Sequence, residues 1–108
     1  MPHLLHARVT AQLKLALLGD CGCEKTVRRL EREARLCGLT GAEIDAARDG
    51  RSFEARTAAV VAYACALKTG EAALVDEAGA RAARIGVAAS ELAAAARQAK
   101  RILASGKR

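Results

Sequence analysis

Alanine content is the feature that most constrains the fold of this chain. Alanine fills about a quarter of the 108 positions, while the chain has one proline, one tyrosine, one phenylalanine and no tryptophan. Because alanine loses no side-chain entropy in a helix, this composition predicts an all-α fold. A chain of this length is expected to form one domain, which covers residues 1–108.

The same composition limits how much apolar surface one subunit can bury. Small side chains bury little area each, so a core of alanine, leucine and valine with Phe53 and Tyr63 as the aromatic residues is thin for a monomer. Contacts between subunits would add apolar burial. The composition therefore predicts a homo-oligomer and leaves the number of subunits open.

Glycines and polar residues at regular intervals divide the chain into six predicted helices. These helices cover about residues 3–18, 21–37, 41–49, 53–68, 71–85 and 89–104. Gly38, Gly70 and Gly86 are expected to end three of them, as glycine often does in the left-handed conformation. The connections are short, so consecutive helices are predicted to pack as antiparallel neighbours.

Capping residues mark where the second, third and fourth helices begin. Asp20 is expected to cap the second helix, since its carboxylate can accept a hydrogen bond from a backbone N–H of the first turn. Thr40 and Glu43 have the spacing of a capping box at the third helix. Ser52 is expected to cap the fourth.

A short stretch of sequence occurs twice, 48 residues apart. Residues 34–39 and 43–44 correspond to residues 82–87 and 91–92, and both copies contain a helix end, a glycine, an apolar residue and a helix start. This pattern favours two similar helical hairpins that pack together. Chance similarity between alanine-rich helices is the alternative.

The charge distribution argues for solvated helix surfaces. The net charge is +6, and residues 25–35 interleave five cations with two glutamates, which is typical of an exposed helix face. The short tail after Arg97 contains cations and no acid. Such a tail suits a helix C-terminus, and nucleic-acid binding is the less favoured alternative.

The chain begins without a secretory signal pattern and contains no apolar run of membrane-spanning length. We therefore expect a cytoplasmic protein that does not bind membranes. In that reducing compartment, two cysteines close together more often serve redox chemistry or metal binding than a structural disulfide.

The candidate site is the segment Cys21-Gly22-Cys23, at the predicted start of the second helix. The partial positive charge of a helix N-terminus favours thiolate over thiol, and Lys25 and Arg28 are expected to add to this effect, whereas Glu24 opposes it. A disulfide across one residue would be strained and easily reduced. The alternative is that both cysteines are small residues at a helix start, without an active role.

A metal site is the weaker interpretation of the same cysteines. His3 and His6 share a helix face and, with the two thiolates, would give four zinc ligands. A helix of this length holds the histidines about 20 Å from the cysteines, so only a neighbouring subunit could bring the two pairs together. No metal and no other cofactor is therefore predicted.

The order of several motifs resembles the carboxymuconolactone decarboxylase and AhpD-like alkylhydroperoxidase family over about residues 9–102. The motifs are Gly22-Cys23, the helix end at residues 34–40, Glu43-Ile44, Gly50, Arg56, residues 62–64 and Leu67. The resemblance implies a six-helix AhpD-like bundle of small subunits that associate as dimers, trimers or hexamers. The redox branch of the family uses a Cys-x-x-Cys pair, a histidine four residues later and a glutamate on the preceding helix. Its dithiol reduces peroxides or exchanges with a partner disulfide.

The chain departs from the family at most of these catalytic positions. Cys23 takes the place of the first cysteine, but the second is Thr26, the histidine is Leu30 and the glutamate falls near Ala11. Alignment on Cys21 gives no better match. The usual dithiol mechanism of the family is therefore not supported. The leading hypothesis is a thiol-dependent peroxidase or disulfide oxidoreductase centred on Cys23, which uses a thiol reductant, with the neighbouring Cys21 as resolving thiol for a sulfenic acid. The alternative is a catalytically degenerate member that acts as a binding or scaffolding module.

Overall fold

The computed structural model describes residues 2–20 and 23–105, and for residues 2–6 it describes the backbone alone. These residues form six helices and no strand, so the predicted all-α fold is confirmed. The helices are α1 Pro2–Leu18, α2 Glu24–Leu36, α3 Gly41–Arg48, α4 Ala55–Thr69, α5 Ala72–Ile85 and α6 Ala89–Ser105. Predicted and observed ends agree within about three residues, as is usual for helix boundaries.

The predicted glycine stops are confirmed. Gly38, Gly70 and Gly86 have φ values of +91°, +76° and +106°, which place all three in the region that favours glycine. The capping box of α3 is also present. The Glu43 N–H donates to Thr40 Oγ1 at 3.2 Å, and the Thr40 N–H donates to Glu43 Oε1 at 2.8 Å.

The predictions for Asp20 and Ser52 are wrong. The N-cap of α2 is Cys23, because the helix begins at Glu24 and Asp20 is too far upstream to reach its first turn. The Asp20 carboxylate instead accepts a hydrogen bond from Lys68 at 3.0 Å. The N-cap of α4 is Glu54, and Ser52 Oγ accepts from the Glu54 N–H at 3.3 Å in the turn before the helix.

Helix α1 forms the centre of the bundle and packs against α2, α3, α4 and α6. Its Leu13 and Leu17 are buried as their spacing indicates, but Leu15 is also fully buried although it lies on another side of the helix. A helix with neighbours on several sides needs apolar residues around most of its circumference. The one-sided pattern taken from the sequence therefore understated the burial of α1.

The prediction that consecutive helices pack together holds for α1 with α2 and for α4 with α5. Helix α3 packs mainly on α1, and α6 packs on α4 and α1. Phe53 also departs from expectation, because 70% of it is exposed and it contributes little to the core. Leu13, Leu15, Leu17, Leu30 and Val61 are the largest fully buried side chains.

The repeat seen in the sequence extends to three helices in the structure. In a first unit, α1 contacts α2 and α3, and in a second unit, α4 contacts α5 and α6. Ala34 and Ala82 are both fully buried, and their carbonyls accept from the N–H groups of Leu39 and Val87, each at 3.0 Å. The two units therefore share the same helix-to-helix turn.

The same ion pair joins the first and third helices of each unit. Glu43 accepts from Arg8 at 2.9 Å, and 48 residues later Glu91 accepts from Arg56 at 2.7 and 2.9 Å. Glu91 also accepts from the Ala88 N–H at 2.9 Å, as Glu43 does from Thr40. The prediction of two similar packed hairpins is thus extended to two similar three-helix units.

We predict that Leu13→Ala lowers the free energy of unfolding by about 2–5 kcal/mol, because it leaves a cavity in the centre of the bundle. Leu74→Ala removes the same atoms from a side chain that is 42% exposed, and it should cost less than about 1 kcal/mol. Urea unfolding followed by circular dichroism measures both. Equal losses would contradict the central position of α1.

We predict that Glu43→Gln destabilises the protein at pH 7 and loses this effect in acid. The Thr40 backbone N–H, followed by the Thr40 hydroxyl and Arg8, lowers the pKa of the Glu43 carboxyl. A carboxylate with a lowered pKa stabilises the fold above its unfolded-state pKa of about 4.3, and this contribution disappears as the pH falls through the folded-state value. Unfolding midpoints of both proteins from pH 7 to pH 3 should therefore converge. A constant difference over that range would contradict the prediction.

Candidate functional site

Cys23 lies at the N-cap position of α2, and its side chain is exposed to solvent. Its backbone is extended, with φ −92° and ψ 100°, and the helix begins at the next residue. The sulfur is therefore next to the backbone N–H groups of the first helical turn, which carry a partial positive charge. Cys21 and Gly22 lie outside the described residues, so this geometry concerns Cys23 alone.

Thr26 contacts the Cys23 sulfur directly. Its hydroxyl donates a hydrogen bond to Cys23 Sγ at 3.2 Å, because residues three apart at a helix start lie on the same side. A donor at this distance favours the negatively charged thiolate over the neutral thiol. Thr26 cannot form the disulfide of a Cys-x-x-Cys pair, but it occupies that position with a group that stabilises the charged sulfur.

The surroundings of Cys23 lower the pKa of its thiol. The Thr26 hydroxyl has the largest effect, followed by the Thr26 backbone N–H and, more weakly, by the N–H and the charge of Lys25. The slight burial of the sulfur opposes these effects. A lowered pKa increases the thiolate fraction at neutral pH, and the thiolate is the form that attacks peroxides and disulfides.

Arg28 and Glu24 do not have the roles expected from the sequence. The Arg28 guanidinium lies 3.0 Å from the Glu24 carboxylate, so the two charges pair with each other across the first turn of α2. Neither is among the groups that shift the pKa of Cys23. The structure thus brings Cys23 together with Thr26 and Lys25, while Arg28 and Glu24 form a separate pair.

The two positions that the suggested resemblance assigns to a histidine and a glutamate belong to the core. Leu30 is 2% exposed and Ala11 is 6% exposed, and both pack in the central hydrophobic cluster. Apolar residues at these places fit the packing of α1 against α2. The described residues around Cys23 therefore do not include the proton-transfer pair that the family motif would provide.

A lysine of the second unit anchors the chain just before the candidate site. Lys68 Nζ donates to the Leu17 carbonyl at 2.8 Å and to Asp20 Oδ1 at 3.0 Å. The hydrogen bond from Lys68 lowers the pKa of the Asp20 carboxyl. The sequence analysis did not predict this contact, because its partners are 48 residues apart. A signal for it exists, since Asp20 and Lys68 have opposite charges and occupy corresponding positions of the two repeats.

The other described cysteines behave as small apolar residues, as predicted. Cys37 and Cys65 are half-buried and pack against the central cluster. Burial raises the pKa of the Cys65 thiol, which disfavours its reactive form. His3 and His6 have side chains outside the description, and no group of three potential metal ligands occurs among the described residues.

Two grooves on the surface of the described residues are candidate binding sites. One, of about 580 Å³, runs along the exposed side of α2 and is lined by Glu24, Lys25, Arg28, Glu31, Arg32 and Arg35. The other, of about 690 Å³, lies between α1, α4 and α6, and its lining includes Val9, Arg56, Val60, Val87 and Gln98. Only the first begins close to Cys23 in the chain.

Comparison of the chain with protein-family models, with curated proteins and with solved structures finds no match. The structure itself adds that no helix within residues 2–20 and 23–105 has the length and apolar character of a membrane span.

We predict that Thr26→Val slows the alkylation of Cys23 by iodoacetamide several-fold at pH 7. Loss of the hydroxyl donor raises the thiol pKa toward its ordinary value, so the pH at which the rate is half-maximal moves upward. Thr26→Ser keeps the donor and should leave the profile almost unchanged. Mass spectrometry assigns the label to each cysteine, and identical profiles for the wild type and Thr26→Val would contradict the role of Thr26.

Proposed function

We propose that this protein is a thiol-dependent oxidoreductase of the carboxymuconolactone decarboxylase and AhpD-like type, in which Cys23 attacks a peroxide or a disulfide. The observation that carries the proposal is the Thr26 hydroxyl, which donates to an exposed sulfur at a helix N-terminus. The order of motifs along the chain and the six-helix fold are in keeping with it.

The proposed peroxide reaction uses Cys23 as a single attacking thiol. Its thiolate attacks one peroxide oxygen, the O–O bond breaks, and the products are a Cys23 sulfenic acid and an alkoxide that takes a proton from solvent. A reductant thiol then attacks the sulfenic sulfur and releases water, which leaves a mixed disulfide. A second thiol attacks this disulfide and restores Cys23. Cys21 is proposed as an alternative resolving thiol.

The family's proton relay has no counterpart among the described residues, so solvent must supply the protons. Cys23 is exposed, which gives water direct access to the sulfur and to the departing oxygen. The lowered pKa of Cys23 also reduces the need for a base, because a larger share of the thiol is already ionised. The proposal therefore needs no histidine or glutamate beside the sulfur.

We also propose that the protein acts in the cytoplasm as a dimer, trimer or hexamer. Helix α5 packs mainly on α4 and leaves Leu74 and Ile85 each about two-fifths exposed. The small cluster inside the second unit consists of Ala59, Ala82 and Val87, which bury little area. Association of subunits would cover such surfaces and supply additional apolar burial.

We predict that Cys23→Ser abolishes peroxide consumption in the presence of dithiothreitol, down to the rate of the protein-free solution. Cys37→Ser should retain the wild-type rate, because Cys37 is half-buried at the opposite end of α2. The assay follows the loss of tert-butyl hydroperoxide, and circular dichroism checks that both variants fold. Equal rates for wild type and Cys23→Ser would remove Cys23 as the attacking group.

A second candidate function is a binding or scaffolding module without catalysis. It is favoured by the core positions of Leu30 and Ala11, because restoring the family's histidine or glutamate there would place a polar group in the hydrophobic cluster. Wild-type protein that consumes neither peroxide nor a small disulfide, although Cys23 alkylates readily, would select this candidate.

A further inference from the structure

Four cations form a stripe along the exposed side of α2. Lys25, Arg28, Arg32 and Arg35, the cationic stripe, are spaced three, four and three residues apart and line the same groove. At 3.6 residues per turn they occupy about a quarter of the helix circumference, over a length of about 15 Å. The stripe begins two residues after Cys23 and leads away from it.

Most of the charge of this stripe is available to a partner. Among the described residues, Lys25, Arg32 and Arg35 form no ion pair, and Arg28 pairs with Glu24. Glu31, the second carboxylate that lines the groove, lies 3.4 Å from Arg48 of α3. Its negative charge is therefore paired with a cation that does not belong to the stripe. The groove therefore presents a net positive surface in spite of its two glutamates.

The second three-helix unit shows that the fold does not require this stripe. The positions on α5 that correspond to the four cations are Ala73, Asp76, Ala80 and Ala83. The glycine of the turn and the two residues of the interhelical ion pair are, by contrast, the same in both units: Gly38 corresponds to Gly86, Arg8 to Arg56 and Glu43 to Glu91. The cations are thus particular to the unit that contains Cys23.

An exposed leucine extends the stripe at its far end. Leu36 is 87% exposed and lies on nearly the same side of α2 as Lys25 and Arg32. Its counterpart in the second unit is Arg84. A row of cations that ends in an exposed leucine is complementary to a segment that has several carboxylates and one apolar side chain.

We propose that the cationic stripe and Leu36 form a docking surface for an acidic segment of a partner protein, which thereby brings a thiol or disulfide to Cys23. Carboxylates of the segment would pair with Lys25, Arg32 and Arg35, and an apolar side chain would cover Leu36. The delivery of a thiol or disulfide rests on the proposed function, whereas the docking does not. A nucleic acid fits less well, because the groove contains Glu24 and Glu31 and no aromatic side chain for base stacking.

The docking is tested first without the thiol chemistry. Cys23→Ser protein is titrated into a fluorescent peptide with four glutamates and one leucine, and anisotropy reports binding. We expect binding that weakens with added salt and that becomes about 10-fold weaker in a variant that also carries Arg32→Glu and Arg35→Glu. Lys100→Glu with Arg101→Glu on α6 changes the net charge equally, at exposed positions elsewhere, and should preserve binding.

Besides an absence of binding, two outcomes of this titration would overturn the docking proposal. One is an equal loss of affinity in the α6 control, which would mean that only the net charge matters. The other is tighter, stripe-dependent binding of a single-stranded oligonucleotide, which would assign the surface to nucleic acid. Arg32→Ala with Arg35→Ala serves as a milder variant, and circular dichroism confirms that each protein folds.

The delivery to Cys23 is tested by disulfide exchange. The acidic peptide and a lysine-containing counterpart each carry a cysteine as a mixed disulfide with 2-thiopyridine. The Cys23 thiolate attacks the peptide sulfur, the Cys23–peptide disulfide forms, and 2-thiopyridone leaves with the electron pair. After subtraction of the Cys23→Ser rate, we expect the acidic peptide to react about 10-fold faster, with the preference lost in the Arg32→Glu, Arg35→Glu variant.

The titration and the disulfide exchange, together with the peroxide assay, distinguish a failure of the docking proposal from a failure of the proposed function. Binding without a rate preference would leave a docking surface that does not serve Cys23 and would overturn the delivery step. Peroxide reduction by Cys23 without binding of the acidic peptide would overturn the docking and keep the proposed function. Binding in a protein whose Cys23 consumes no peroxide would keep the docking as the property of a binding module.

Discussion

The burial of α1 is the constraint on which the rest of the structure depends. Four other helices pack on it, and the leucines that occupy the centre of the bundle come mainly from this helix. Helix α2 adds the buried Leu30, whereas α3 to α6 are rich in alanine and contribute mostly small side chains, which pack closely and bury little area each. The second unit completes the fold by covering α1 with α4 and α6, which makes the two units interdependent.

The helix ends were predictable from the sequence, whereas long-range contacts were not. Gly38 and the Thr40–Glu43 capping box act within a few residues, so their local signals suffice. The Asp20–Lys68 contact and the burial of Leu15 depend on helices that are distant in sequence and that meet only after folding. The repeat itself was visible only as a hairpin, because few residues of α1 and α4 are identical at this offset. Leu13, Leu15 and Leu17 of α1 correspond to Val61, Tyr63 and Cys65 of α4.

For the candidate site, the sequence located the sulfur but missed the role of Thr26 and assigned wrong roles to Arg28 and Glu24. The position of Cys23 at a helix start followed from the pattern, and so did the contribution of Lys25. The sequence presented Thr26 only as a missing cysteine, because a hydroxyl becomes a hydrogen-bond donor to sulfur only when the turn places it within reach. Arg28 and Glu24 neutralise each other, which depends on rotamers that spacing alone does not fix.

The duplication of the three-helix unit gives this protein an internal reference. Both copies share the same backbone turn and the same arginine–glutamate link, so their exposed side chains can be compared at corresponding positions. Glu71 stands where Cys23 stands in the first copy, also as the N-cap of a helix. The start of α5 can therefore receive the features of the first copy by substitution, with a cysteine, a threonine and the cations introduced one at a time. Such a series would determine, within a single molecule, the smallest set of residues that makes a sulfur reactive.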